Sequence, residues 1–153
     1  MKILILSDSH SFRNALEEIL KNERSADMII HLGDGGSDLF EMTEYTAGKP
    51  VYNIKGNCDL SAFSFTERLI TYAEDVKFLA CHGHMYHVKT TLHSLFYAAK
   101  EQDCKVALFG HTHIPHIEDY EGITLFNPGS VASFRYGIME VKKDKLTLTH
   151  KKL

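Results

Sequence analysis

The sequence predicts an α/β fold of two packed β-sheets with helices on the outside. Three observations carry this. The first third of the chain alternates continuous aliphatic runs with a segment of helical spacing. Clusters rich in His, Asp and Gly stand where those aliphatic runs end. From Ile117 onward the pattern is strand after strand.

Ile3–Leu6 is aliphatic at every position, the mark of a strand buried on both faces. Asn14–Lys21 follows with Leu16, Ile19 and Leu20 on one side and Glu17, Glu18 and Lys21 on the other, an amphipathic helix. Met28–Leu32 reads as a second buried strand. It ends in the turn Gly33-Asp34-Gly35-Gly36, after which Ser37 is placed to cap a short helix through Tyr45. Val51–Ile54 is a third strand, so the chain opens β-α-β-α-β. Open α/β sheets place ligands at the carboxyl ends of such strands. Leu69–Tyr72 and Val76–Cys81 read as a hairpin. Thr91–Lys100 reads as a helix with Leu92, Leu95, Phe96 and Ala99 on its apolar face, and Val106–Phe109 as a short buried strand. Turns are expected at Glu121-Gly122 and Lys143-Asp144.

A chain of 153 residues matches one domain, 1–153, and can bury a sizeable core. A formal net charge of -3 does not steer the surface toward nucleic acid or anionic membrane, so no stable nucleic-acid binding is expected. Three cysteines without a CxxC argue against a disulfide framework and a zinc knuckle, and reduced thiols suggest the cytoplasm. The initial apolar run stops at Ser7-Asp8, too short for a signal peptide, and no stretch has transmembrane length.

Ten histidines are the most informative part of the composition. Asp8-Ser9-His10, Gly33-Asp34, Gly56-Asn57-Cys58-Asp59, His82-Gly83-His84 and Gly110-His111-Thr112-His113 run in order along the chain. Imidazole, carboxylate and amide oxygen suit a borderline-hard divalent ion. Asp8 and His10 stand two apart and would point the same way in extended backbone. Each cluster alone also reads as an ordinary turn or surface loop, and Cys58 as a small packed hydrophobe. Together Asp8, His10, Asp34, Asn57, His82, His111 and His113 exceed what one ion needs. Two ions sharing a carboxylate and a water would use them all, an arrangement suited to hydrolysis of phosphate esters. His31, His87, His93, His116 and His150 lack such company and read as structural or solvent-exposed.

These motifs resemble the calcineurin-like metallophosphoesterases, whose pattern is D-x-H, G-D, G-N-H-[ED], an H after a strand, and G-H-x-H. The short length, the Gly-Asn-Cys-Asp form, the His82-Gly83-His84 triplet and Asn127-Pro128-Gly129-Ser130 resemble the YfcE-type small phosphodiesterases in particular. The resemblance implies a four-layer αββα sandwich of two mixed sheets with a dinuclear site at one edge. It implies one ion at Asp8, His10, Asp34 and His113, and another at Asp34, Asn57, His82 and His111. It also implies manganese, with nickel, zinc or iron as further choices, and a small phosphodiester substrate attacked by a metal-bridging hydroxide. Small members of the family often pair, so a homodimer or higher homo-oligomer fits the resemblance.

One departure matters. The superfamily's His after the Asn, which binds phosphate or protonates the leaving group, is here Cys58. His84 is the candidate substitute. Arg135 is a candidate clamp on a phosphate oxygen, although it also reads as an exposed turn residue. A second class of function is a non-catalytic protein-interaction scaffold of the same fold, like the retromer small subunit. The retained ligand types favour the enzyme. A dinucleotide-binding oxidoreductase fits poorly, because Gly33-Asp34-Gly35-Gly36 does not match G-x-G-x-x-G.

Overall fold

The computed structural model describes residues 1–143 and 145–153, so the turn expected at Lys143-Asp144 lies partly outside the described residues. Strands β1 (Lys2–Leu6), β2 (Met28–His31) and β3 (Val51–Asn53) are joined by β9 (Arg135–Lys142) and β10 (Lys145–Lys152) in a mixed sheet of order β10-β9-β1-β2-β3. A second sheet has the order β4-β5-β6-β8-β7. Its strands are β4 (Arg68–Ala73), β5 (Val76–Cys81), β6 (Val106–Leu108), β7 (His116–Tyr120) and β8 (Ile123–Asn127). Helix α1 (Arg13–Asn22) covers the outer face of the first sheet, and α3 (His93–Glu101) that of the second. Between them in sequence lies the short α2 (Thr43–Thr46).

Burial explains the aliphatic runs. Ile3 and Ile5 point between the sheets and pack with Ile30, Phe78, Val106 and Phe126. Leu4 and Leu6 point the other way, against Leu16, Ile19 and Leu20 of α1. On β5, Phe78 and Ala80 face the central core, while Leu79 and Cys81 face Leu95, Phe96 and Ala99 of α3. A strand covered on both faces has no polar side, so period-two alternation gives way to a continuous run. The result is the expected four layers. Truncating a central ring such as Phe126 to Ala costs about 3–5 kcal/mol by analogy with other cores.

Most elements stand where the sequence puts them. Met28–His31 runs parallel to β1, and β4 with β5 forms the hairpin. The region after Gly33 differs. Ser37 caps nothing: a 3-10 stretch covers Gly36–Glu41 and α2 begins only at Thr43. The reason is Asp38, whose Oδ2 accepts from Ser9 Oγ at 2.7 Å and from the Ser11 N–H at 3.0 Å. That tie pulls the segment onto the β1 loop. No helix among the described residues is long and apolar enough to cross a membrane.

Candidate metal centre

Strands β1, β2 and β3 are parallel neighbours in one sheet, as are β5, β6 and β8 in the other. Every cluster leaves the C-terminal end of one of these strands, and the two sheets bring the ends to a common edge. Asp8 and His10 follow β1, Asp34 follows β2, Asn57 follows β3, His82 follows β5, and His111 and His113 follow β6.

Three groups of ligand-type atoms form there, two of imidazole and carboxylate alone and a third, His10, Asp34 and Cys58, that links them. Those of Asp8, His10 and His113 lie within 4.8 Å of one another, and so do those of Asp34, His82 and His111. Asn57 joins the second group, with Oδ1 3.1 Å from His82 Nε2. His82 Nε2 is also 3.2 Å from His111 Nδ1 and 3.4 Å from Asp34 Oδ2. In the first group His113 Nε2 lies 3.2 Å from Asp8 Oδ1 and 3.4 Å from His10 Nε2. All seven predicted residues are therefore brought together. Asp8, Asp34 and His82 are buried, while His10, Asn57 and His113 are exposed, so the site has a deep floor and an open mouth.

Asp8 and His10 do not meet as residues of an extended strand. β1 ends at Leu6, and the loop beyond it turns through positive φ at Asp8 (53°) and His10 (43°). Asp34, His111 and His113 also have positive φ, so five of the seven candidates hold a sparsely populated backbone conformation. Such concentrations are typical of functional sites, where surrounding structure enforces them. Asp8 Oδ1 and His10 Nε2 still lie only 3.8 Å apart.

The donor set fits divalent ions. Asp8 Oδ2 accepts from Ser7 Oγ at 2.6 Å and from the His111 N–H at 3.1 Å, but its Oδ1 is buried with no hydrogen-bond partner. A carboxylate oxygen in that state is costly unless a cation meets it. His82 Nδ1 lies 2.8 Å from the Leu32 carbonyl, which only a protonated Nδ1 can use. That leaves the Nε2 lone pair facing the cluster, the usual tautomer lock behind a ligating His. Burial, then the nearby His82, pulls the His111 pKa down to about 4, so this imidazole is neutral and able to ligate. Burial opposes ionisation of Asp34, but His82 and the Cys58 N–H on Oδ1 outweigh it and hold the carboxyl well below the usual range. The nitrogen–nitrogen separations also match the edge of a coordination shell with bonds of about 2.0–2.1 Å.

Several supports lie outside the ligand set. Asp59 accepts from the Asp34, Gly35 and Gly56 N–H groups at 2.8, 3.0 and 2.8 Å, so one carboxylate fixes both the Gly-Asp and the Gly-Asn loop. Asn127 Nδ2 donates to the Gly110 carbonyl and to Thr112 Oγ1, and Ser130 Oγ donates to the Asp8 carbonyl. The Asn127–Ser130 segment thus braces the loops of β1 and β6. Asp59 and Asn127–Ser130 stand inside motifs that the sequence displays. Ser7 and Asp38 carried no signal of their own. Gly56 and Gly110 are required for close approach: an added Cβ would lie 2.1 Å from Asp34 Oδ1 and 2.0 Å from Ser7 Oγ, respectively.

The three further candidates are placed differently. His84 adjoins the centre, its ring 5.4 Å from that of His82 and 6.1 Å from that of His111, and its buried Nδ1 has no partner. Cys58 is exposed rather than packed as a small hydrophobe, because its loop lies over the mouth of the site and its N–H is used by Asp34. The Asp34 carboxylate, with some burial, pushes the thiol pKa up. Arg135 opens β9, and its N–H donates to the Ser130 carbonyl. Its guanidinium has no hydrogen bond or ion pair among the described residues. Of the remaining histidines, His31 is buried and hydrogen-bonded to Ser9 and Gly33, His116 pairs with Glu118, and His150 stacks on Phe126. His87 and His93 are exposed.

Residues 1–144 match the calcineurin-like phosphoesterase superfamily domain, and the chain belongs to that superfamily. It is 36% identical over 155 residues to "Probable metallophosphoesterase YsnB" of Bacillus subtilis, covering 97% of this chain and 89% of that one. It is 30% identical over 156 residues to "Phosphodiesterase MJ0936" of Methanocaldococcus jannaschii, covering 90% and 89%. Among solved structures, a "predicted phosphoesterase" of Streptococcus pneumoniae superposes with a TM-score of 0.82 at 27% identity, covering 99% of this chain and 88% of that one. Vps29 of Entamoeba histolytica complexed with zinc shares the fold, with a TM-score of 0.81 at 16% identity over 100% and 98% of the two chains.

Proposed function

We propose that residues 1–153 form one metallophosphoesterase domain that hydrolyses small phosphodiesters with two divalent ions, manganese first and nickel, zinc or iron as alternatives. Asp8, His10, Asp34 and His113 would hold one ion, and Asp34, Asn57, His82 and His111 the other. The observation that carries this reading is the pair of adjoining ligand groups, with Asp34 in one and within reach of His10 in the other, and a buried Asp8 Oδ1 that no hydrogen bond satisfies. Such ions, when bound, supply a water acidified toward hydroxide near neutral pH and positive charge for the phosphoryl oxygens.

The remaining roles belong to the chain. Asp59 and the Asn127–Ser130 segment keep the ligand loops in place, so little reorganisation accompanies binding. His84 stands beside the centre as the candidate proton donor to the leaving oxygen; burial, then the nearby His82, lowers its pKa, so that role would strengthen as pH falls. Arg135 would clamp a phosphate oxygen. Its side-chain stem runs close to Gly129 and starts beside the segment that braces Asp8. The phosphodiesterase name of the archaeal relative supports diesters over monoesters.

The test is hydrolysis of bis-p-nitrophenyl phosphate by metal-stripped protein with Mn²⁺ added back, beside Asp34→Asn. Activity is expected to require Mn²⁺ and to fall at least about 100-fold in the variant, whose amide is a weaker bridge. The fold shared with Vps29 keeps a non-catalytic scaffold as the second reading. Two bound ions without turnover under Mn²⁺, Ni²⁺, Zn²⁺ or Fe²⁺ would favour that scaffold.

A further inference from the structure

A groove of about 470 Å³ opens beside the metal centre between the 3-10 stretch after β2 and the loop after β3. Its walls include Phe40, Leu60 and Phe65, with Cys58 at the end nearest the ligands. Phe40 and Leu60 are 62% and 77% exposed, a large apolar outlay for residues that stabilise no core. The Phe40 and Phe65 rings meet edge to face with centroids 5.8 Å apart, leaving a ring face and edge for a further aromatic group.

Two features say what the groove would hold. The first is continuity. Cys58 lines the groove, its N–H donates to Asp34 Oδ1, and its sulfur lies within 4.8 Å of ligand atoms of Asp34 and His10. A phosphate held by the ligand set would therefore carry one substituent over this surface. The second is charge. The carboxylate in the lining is Asp59, and both of its oxygens are taken up by the backbone N–H groups of Asp34, Gly35 and Gly56. The rest of the lining is apolar rings, Leu60, Cys58 and serine hydroxyls such as Ser61 and Ser64, which suit the polar edge of a neutral ring.

We infer that this groove is a specificity subsite for an uncharged planar aromatic ester group, aryl or nucleobase, on the phosphate bound at the metal centre. The inference rests on the phosphoesterase reading and deepens it: Phe40 and Leu60 are specificity-determining residues, while the ligand set holds the phosphate. Small alkyl esters fill the groove poorly, and a substituent bearing a second phosphate finds no cation in its lining.

Calorimetric titration of phenyl phosphate and methyl phosphate into the Mn²⁺-loaded protein tests this without turnover as the readout. The two anions carry the same charged head and differ in the group that would enter the groove. Phenyl phosphate is expected to bind at least about tenfold tighter, the effect of burying one ring. In the Phe40→Ala/Leu60→Ser double variant that ratio is expected to fall toward one. Tyr97→Ala, an exposed aromatic on α3, should keep it. Equal affinities in the parent protein, or a ratio that survives the double variant, would overturn the subsite. Binding of neither phosphate would instead overturn the phosphoesterase reading beneath it.

Discussion

His31 lies two residues before the Gly33-Asp34 turn and is fully buried, with Nε2 3.2 Å from Ser9 Oγ and Nδ1 accepting from the Gly33 N–H. Burial pulls its pKa from 6.5 down to about 4. Below about 6.5 the unfolded chain takes up a proton that the folded chain refuses, so stability falls as pH drops toward 4 and levels off below it. The loss through this one ring reaches about 3 kcal/mol. Urea unfolding of the metal-free protein at pH 7.5 and 4.5 is expected to show this slope, and His31→Gln to flatten it. A second residue, His84, gives a sharper functional test. If it protonates the leaving oxygen, His84→Gln lowers kcat about 10²-fold for an alkyl leaving group and far less for p-nitrophenolate, which leaves without a proton. Equal losses on both substrates would remove it from that role.

At the scale of the element, the loop Gly56–Asp59 carries more of the site than its ligand Asn57. Asp59→Ala strands three N–H groups that fix two ligand loops. Stability should drop by about 1–3 kcal/mol. Metal affinity, read by calorimetry, should drop about 10–100-fold, the usual effect of losing an orienting partner. This loop also shows what a sequence conveys. Asn57 and Asp59 are legible because short polar motifs end apolar runs. The conformation that makes them converge is not, since Asp and His adopt positive φ more readily than most residues but usually do not, so their presence alone does not announce it. The aliphatic runs of β1, β2 and β5 are legible because each is covered on both faces. The segment after Gly33 departs from its local pattern because its shape follows from Ser9 and Ser11 binding Asp38, contacts nearly thirty residues apart that local pattern cannot express.

Across the whole molecule, the candidate ligands come from both sheets: Asp8, His10, Asp34 and Asn57 from one, His82, His111 and His113 from the other. Bound ions would therefore clamp the two halves of the sandwich in addition to serving chemistry. A ligand at 100 times its Kd stabilises the folded state by about 2.7 kcal/mol. For a chain of this size that raises Tm by about 5–10 °C. Adding Mn²⁺ to chelator-treated protein should give such a rise, and Asp34→Asn should lose most of it, since Asp34 stands in one group and within reach of His10 of the other. A thermal melt indifferent to Mn²⁺ would count against ions that bridge the sheets.

Strand β1 is central, lying between β2 and β9, with Lys2 opposite Glu140 and Ile5 opposite Gly137. A ribosome delivers β1 first and its second neighbour only after more than a hundred further residues. Throughout that interval a strand apolar on both faces keeps one edge open, the kind of surface that recruits other nascent chains. The hydrophobic run that secures the finished sheet is therefore also a segment with an unpaired edge while the chain is being made.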